Sequence, residues 1–303
     1  MPLSEHIHKE AGIGRIRDHI RALQGVRHPV AAPEALERAA DYLHHSLAAM
    51  AYDMEEQRFT EGTGEYRNII ATRTGIGLPE ERVCVIAHYD TVEGSPGADD
   101  NASGCAAMLE MARLMQDITF ERTVQFIGVC LEENQRTGDH GSGLRGSSAL
   151  AAHARANGWG IKGAVVLESV AYAGADVVQS APAGVPLAVP ETGNFIAVVG
   201  NERSAAMVQG FCNAAGRLVP DLAVVPLVVP GNGEMLPDTR RSDHAPFWDQ
   251  GYPAVMVTDT TNFRNPHYHQ PTDTLETLNL EFCAAVCHAA CGLVMELAGS
   301  QGV

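Results

Sequence analysis

The run Thr123-Val-Gln-Phe-Ile-Gly-Val-Cys-Leu131, followed at once by Glu132-Glu133, decides how this chain is read. A nearly continuous apolar run of this length is what a strand buried on both faces of a sheet requires. The two carboxylates at its end emerge from the sheet interior. There an unpaired carboxylate costs on the order of several kcal/mol unless a cation or hydrogen bonds compensate. Adjacent residues project in different directions, so one of the pair can bind a metal ion while its neighbour faces a reacting water. The pattern recurs: Val83 to Ala87 ends in His88-Tyr89-Asp90, and Ala164-Val-Val-Leu167 ends in Glu168.

Working outward, strand-like runs at Asn68–Thr72, Phe195–Val199, Leu222–Val229 and Ala254–Thr258 alternate with helical patterns at Ser103–Met115, Leu144–Ala156, Ser204–Leu218 and Leu280–Leu297. Strands bounded by helices predict an α/β three-layer sandwich, a central mixed and largely parallel sheet with helices on both faces. In such sheets ligands sit outside the carboxyl ends of the strands, where these acids and histidines fall. Ahead of Tyr66, two amphipathic patterns, Ile13 to Leu23 and Pro33 to Met50, predict N-terminal helices. Pro33 and Glu34 mark a first helical turn. No linker or repeat divides the 303 residues, so residues 1–303 are expected to form one catalytic domain with 1–65 as helices packed on it. Residues 173–194, rich in proline and glycine, are expected to form a long loop that rims a pocket.

The formal net charge of −16 opposes association with nucleic acid or anionic lipid. The N-terminal MPLSEHIHKE has no apolar stretch and does not read as a secretory signal, and no run approaches the roughly 20 apolar residues of a membrane span. Seven cysteines, an odd number scattered through apolar segments, favour reduced thiols and a cytoplasmic setting. Cys283, Cys287 and Cys291 share one face of the last helix and read as a small packing surface.

Imidazole nitrogen and carboxylate oxygen together suit zinc and its neighbours. His88 ends a buried strand, and Asp90, two residues on, points the same way and would accept the other ring N–H. Of the adjacent acids Asp99 and Asp100, one can cap the following helix and the other is spare; Asp100 is read as a carboxylate shared by two metal ions. His267 and His269 flank Tyr268 in a proline-bracketed loop, one histidine a ligand and the other a loop residue. Thr272, Asp273 or Thr274 is expected to cap the helix that follows.

HYD at 88–90, GADDNASG at 97–104, LEEN at 131–134, LESVAY at 167–172, SDHAPFW at 242–248 and NPHYHQPTDT at 265–274, in that order and at these spacings, resemble the zinc-dependent aminopeptidases of the twenty-eighth metallopeptidase family. The likeness runs from about Asn68 to the last helix. It implies a two-zinc exopeptidase, with Mn2+ or Co2+ as possible substitutes, that cuts the N-terminal bond of a peptide or small amide through a metal-bridging hydroxide. His88, Asp100 and Glu168 would hold one ion, with Asp100 bridging to a second completed by Glu133 and His269. Glu132 matches the general base, and Tyr268 the hydroxyl that steadies the oxyanion. Glu168 departs from the aspartate of many secreted members.

The nearest rivals lie on the same scaffold: a carboxypeptidase, an N-acyl deacylase or a glutaminyl cyclase. The cyclases work with one zinc and lack the full ligand set, whereas His88 is present here. Many carboxypeptidases insert a domain of roughly a hundred residues, for which Val170 to Arg241 is too short. A non-catalytic binding module is the remaining alternative, and such descendants lose ligands.

Overall fold

Two helices open the computed structural model, which describes residues 12–133, 143–182, 184 and 188–300; the N-terminal decapeptide read above lies outside them. They are α1 (Ile13–Leu23) and α2 (Pro33–Ala48), the second with its proline in the first turn. The strands are β1 (Asp53–Glu61), β2 (Gly64–Arg73), β3 (Leu78–His88), β4 (Arg122–Val129), β5 (Gly160–Glu168), β6 (Phe195–Asn201), β7 (Ala223–Val229) and β8 (Ala254–Thr258). They form one mixed sheet in the order β1-β2-β4-β3-β5-β8-β6-β7. β3 runs parallel to β4 and β5, β5 to β8, and β6 to β7, whereas β1/β2, β2/β4 and β6/β8 are antiparallel.

The remaining helices are α3 (Gly104–Met115), α4 (Arg145–Ala156), α5 (Ala205–Leu218), the short α6 (His244–Asp249) and α7 (Leu280–Ala298). Alternation along the strands sends Val83, Val85, Val124, Phe126, Val165 and Leu167 to one face, under α1, α2, α3, α5 and α7. Cys84, Ile86, Ile127, Val129 and Val166 go to the other, under α4 and α6. The three-layer arrangement is therefore as expected. On the first face, Glu110 of α3 has a fully buried side chain and takes bonds from Arg15 of α1 and Arg113, tying α1 down.

Three expectations need correction. Residues 1–65 are not only helical, because β1 occupies 53–61. Its sequence, DMEEQRFTE, lies at the sheet edge with only Gln57 buried, so no apolar period marks it. The strand before the two glutamates stops at Val129, not Leu131. And α7 is long and apolar enough to cross a membrane by length and composition. In this fold its buried residues, Cys283, Cys287 and Cys291 among them, join the core on the first face.

Phe126 is fully buried and meets the Tyr52 ring edge-on at 5.4 Å. Phe126→Ala should destabilise the protein by about 3–5 kcal/mol through lost transfer energy and a cavity, read as a shift in denaturant midpoint. A change below about 1 kcal/mol would mean that this layer repacks freely.

Candidate active site

β3, β4 and β5 lie side by side and parallel, so their carboxyl ends open on the same edge of the sheet. His88 is the last residue of β3 and Glu168 the last of β5. Beyond β4, Leu131 takes φ +57°, beyond β5 Ser169 takes φ +48°, and His269 itself has φ +59°. A left-handed conformation costs a residue with a Cβ roughly 1–2 kcal/mol, and here it recurs beside Glu132, beside Glu168 and at His269. These turns aim the side chains into one cleft. Asp100 enters from the turn of Ala98–Ser103 that precedes α3.

The predicted ligands converge. His88 Nε2 lies 3.2 Å from Asp100 Oδ1 and 3.5 Å from Glu168 Oε2. His269 Nε2 lies 3.2 Å from Asp100 Oδ2 and 3.1 Å from Glu133 Oε1. Two groups of three therefore have donor atoms within 4.8 Å of one another: His88, Asp100 and Glu168, and Asp100, Glu133 and His269. Asp100 belongs to both. Among the described residues His88 Nε2 and Asp100 Oδ1 are buried and face each other with no further hydrogen-bond partner. Donors left open in this way at a buried site fit cations rather than protein neighbours.

Of the two loop histidines, the structure brings His269 and not His267 among these donors. His267 Nδ1 is engaged by Thr272 Oγ1 at 2.8 Å and its ring meets Tyr172 edge-on, so it stands apart from the donor groups. Glu132 belongs to neither donor group; its Oε2 is 4.0 Å from His88 Nε2. Tyr268 stacks on the His269 ring at 3.8 Å and accepts a bond from Arg241 Nη2 at 3.2 Å.

Asp90 stands 3.5 Å from His88 Nδ1, as an ion-pair neighbour. Its firmer role, invisible in the sequence, is to accept the backbone N–H groups of Glu132 and Glu133, each at 3.1 Å. The expected caps are also corrected. Asp273 accepts the N–H groups of Asp99 and Asp100 at 2.9 and 3.2 Å, while Asn279 caps α7. Asp99 caps nothing; it takes bonds from Ala171 N–H and Asn265 Nδ2, joining three loops. Ser242 and Asp243, within a quoted motif but given no role there, lie at the site. Ser242 Oγ donates to Glu168 Oε2 at 2.7 Å, and Asp243 is fully buried beside Ser147. No period marks such residues.

Next to these donors lies a cleft with Phe195, Val199, Leu227, Met256 and Phe263 among its apolar walls. Gln179, Pro182 and Val189 rim it, as expected of the 173–194 loop. Arg241 is the one cationic side chain among the described residues that line it.

Crowding shifts the titrations. Burial, opposed by His88 and reinforced by Glu168, Glu133 and Asp243, raises Glu132 well above the usual carboxylate range. Burial and the Asp100 carboxylate push Glu133 up to about 8, and burial pushes Asp243 up to about 7. For His269 burial is outweighed by bonds to Asp100 and Glu133, which raise it to about 10. Burial likewise keeps the Tyr268 hydroxyl protonated.

The chain belongs to peptidase family M28, whose model matches residues 68–294. It is 31% identical to YfbL of Escherichia coli (strain K12) over 297 residues, 92% of this chain and 86% of that one. Among solved structures it superposes on Macrostomum lignano glutaminyl cyclase with a TM-score of 0.80 at 17% identity, covering 100% and 94% of the two chains. The aminopeptidase of Aneurinibacillus sp. strain AM-1 gives 0.73 at 18%, covering 98% and 97%. At these identities the structural likeness is one of fold. The chain spans 56–63% of the length of the fungal leucine aminopeptidases it matches. Family and donor cluster together define a metal-dependent hydrolase.

The shifts fix a sign. Glu133 and Asp243 hold protons in the metal-free fold that the unfolded chain gives up from about pH 4 to 5, so their contribution to metal-free stability is full below that range and lost as pH rises to about 8. Cation binding displaces the same protons, so apparent zinc affinity should rise with pH through this window. Calorimetric titration in buffers of different ionisation enthalpy reads both affinity and proton release. A flat affinity with no proton release would mean that the acids are already ionised in the metal-free fold.

Proposed function

We propose that the chain is a two-zinc aminopeptidase acting on peptides or small amides with a free α-amino group, with Mn2+ or Co2+ as possible substitutes. The observation that carries this reading is the placement of Asp100, one carboxylate oxygen 3.2 Å from each of two histidines that belong to different donor groups. His88, Asp100 and Glu168 would hold one ion, and Asp100, Glu133 and His269 the other. Bound there, two ions supply Lewis acidity toward the scissile carbonyl and a water acidic enough to ionise near neutral pH.

The chain's own residues do the rest. Glu132, outside both donor groups and with its proton affinity raised by burial, takes the proton of the attacking water and returns it to the departing amine. Tyr268 accepts from Arg241, so its own O–H is left to donate to the developing oxyanion, a contribution of about 2.7–4 kcal/mol for a well-placed donor. The carboxylates around the site receive the substrate's ammonium group, and the apolar cleft takes its first side chain. Arg241 at the cleft favours one second reading, a substrate whose far end is a carboxylate, as in a carboxypeptidase or dipeptidase. Seven free cysteines, six of them buried, support a reducing, cytoplasmic setting. The acidic balance argues against nucleic-acid and membrane partners.

The test sets zinc-loaded protein and Glu132→Gln against aminoacyl anilides, free dipeptides, N-acylated peptides and N-terminal glutaminyl peptides. Release of the N-terminal residue from the free-amine substrates is expected, and Glu132→Gln should keep its zinc while kcat falls by at least the ~10²–10⁴ typical of general acid–base catalysis. Turnover of the N-acylated substrates alone would overturn the aminopeptidase reading, and loss of zinc with activity would make Glu132 a ligand.

A further inference from the structure

Arg27 lies far from the cleft in sequence terms, in the turn between α1 and α2, and is 2% exposed. Among the described residues, each bond from its guanidinium ends on a backbone carbonyl. Nε donates to Tyr89 O at 2.7 Å, and Nη1 to Leu23 O, Gly25 O and Pro96 O. Nη2 donates to Gly97 O at 3.0 Å. Its backbone N–H meets Thr91 Oγ1 at 2.9 Å, and Thr91 N–H returns a bond to Arg27 O. A planar fork with five N–H donors can serve several carbonyls at once, which an ammonium cannot.

The carbonyls it gathers are not arbitrary. Tyr89 follows His88 directly, and Pro96 and Gly97 begin the turn that delivers Asp100. Gly97 has φ +58°, and a Cβ there would fall 2.3 Å from Asp100 O and 3.0 Å from Arg27 Nη2, so the turn closes tightly on the guanidinium. Burial works against the charge of Arg27, while Asp90, Asp100 and Asp273 are near enough to support it. A buried cation without a directly bonded carboxylate is costly. Its return is that the two ends of the connection from β3 to α3, one carrying a nitrogen donor and the other a carboxylate donor, are held at a fixed separation.

We propose that Arg27 is the positioning residue of the metal centre: its guanidinium clamps the backbone after His88 to the backbone before Asp100 and so sets the distance between these two donors. This rests on the reading of His88 and Asp100 as ligands. Outer partners that orient ligands typically change metal affinity by 10–100-fold when removed.

The test compares wild type, Arg27→Lys and Arg27→Gln by zinc titration against a chromophoric chelator, with near-ultraviolet circular dichroism and the thermal midpoint recorded in chelator to establish the fold. Lysine keeps the charge and loses the fork; glutamine keeps a neutral N–H donor. Both variants should fold without metal and bind zinc 10–100-fold more weakly than wild type, lysine included, because the fork rather than the charge does the holding. Folded variants with wild-type zinc affinity overturn the proposal. So does a failure of both to fold with and without zinc, since Arg27 would then hold the fold and not the site. Wild type that binds no zinc would instead sink the ligand assignment itself, a separate outcome.

Discussion

The cost of gathering carboxylates at one end of a sheet governs this structure. Asp90, Asp100, Glu132, Glu133, Glu168 and Asp243 all lie buried around His88. In water such groups would be ionised and apart. Here each must be hydrogen-bonded, protonated or matched to a cation. Asp90 is satisfied by two backbone N–H groups and Glu168 by a serine hydroxyl. Asp100 faces both histidines, and Glu132, Glu133 and Asp243 are driven toward their neutral forms. That distribution of protons is what a pair of dications would displace.

The sheet explains why the cluster can exist. Three adjacent parallel strands bring their carboxyl ends to one edge, and left-handed residues after two of them turn the chain so that the acids face inward. Beneath them two further carboxylates do structural work. Asp273 holds the Asp99 and Asp100 amides, and Asp259 holds those of Tyr172 and Thr261. The loops that carry ligands are thus tied to one another, as precise metal geometry requires.

Much of this was legible from the sequence, because buried strands announce themselves as apolar runs and a charged residue at the end of one stands out. His88, Glu132, Glu133 and Glu168 were found that way, Asp100 as the spare acid of an adjacent pair, and the resemblance to the zinc aminopeptidases chose His269 over His267. What escaped has a common physical cause. β1 lies at an edge where neither face is dry, so it carries no period. Arg27, Asp273 and Ser242 act on groups far away in the chain, and nothing local in a sequence records which carbonyl or amide a polar side chain will meet. The cap expected near Asp273 failed for the same reason: its carboxylate was used across the fold.

The central claim is that Asp100 is shared by two metal ions. A crystal structure of the zinc-loaded protein with anomalous data collected on both sides of the zinc edge tests it most directly. The account predicts two zinc peaks, one beside His88 and Glu168 and one beside Glu133 and His269, with a carboxylate oxygen of Asp100 on each. A single peak at saturating zinc, or two peaks of which Asp100 touches only one, would contradict it.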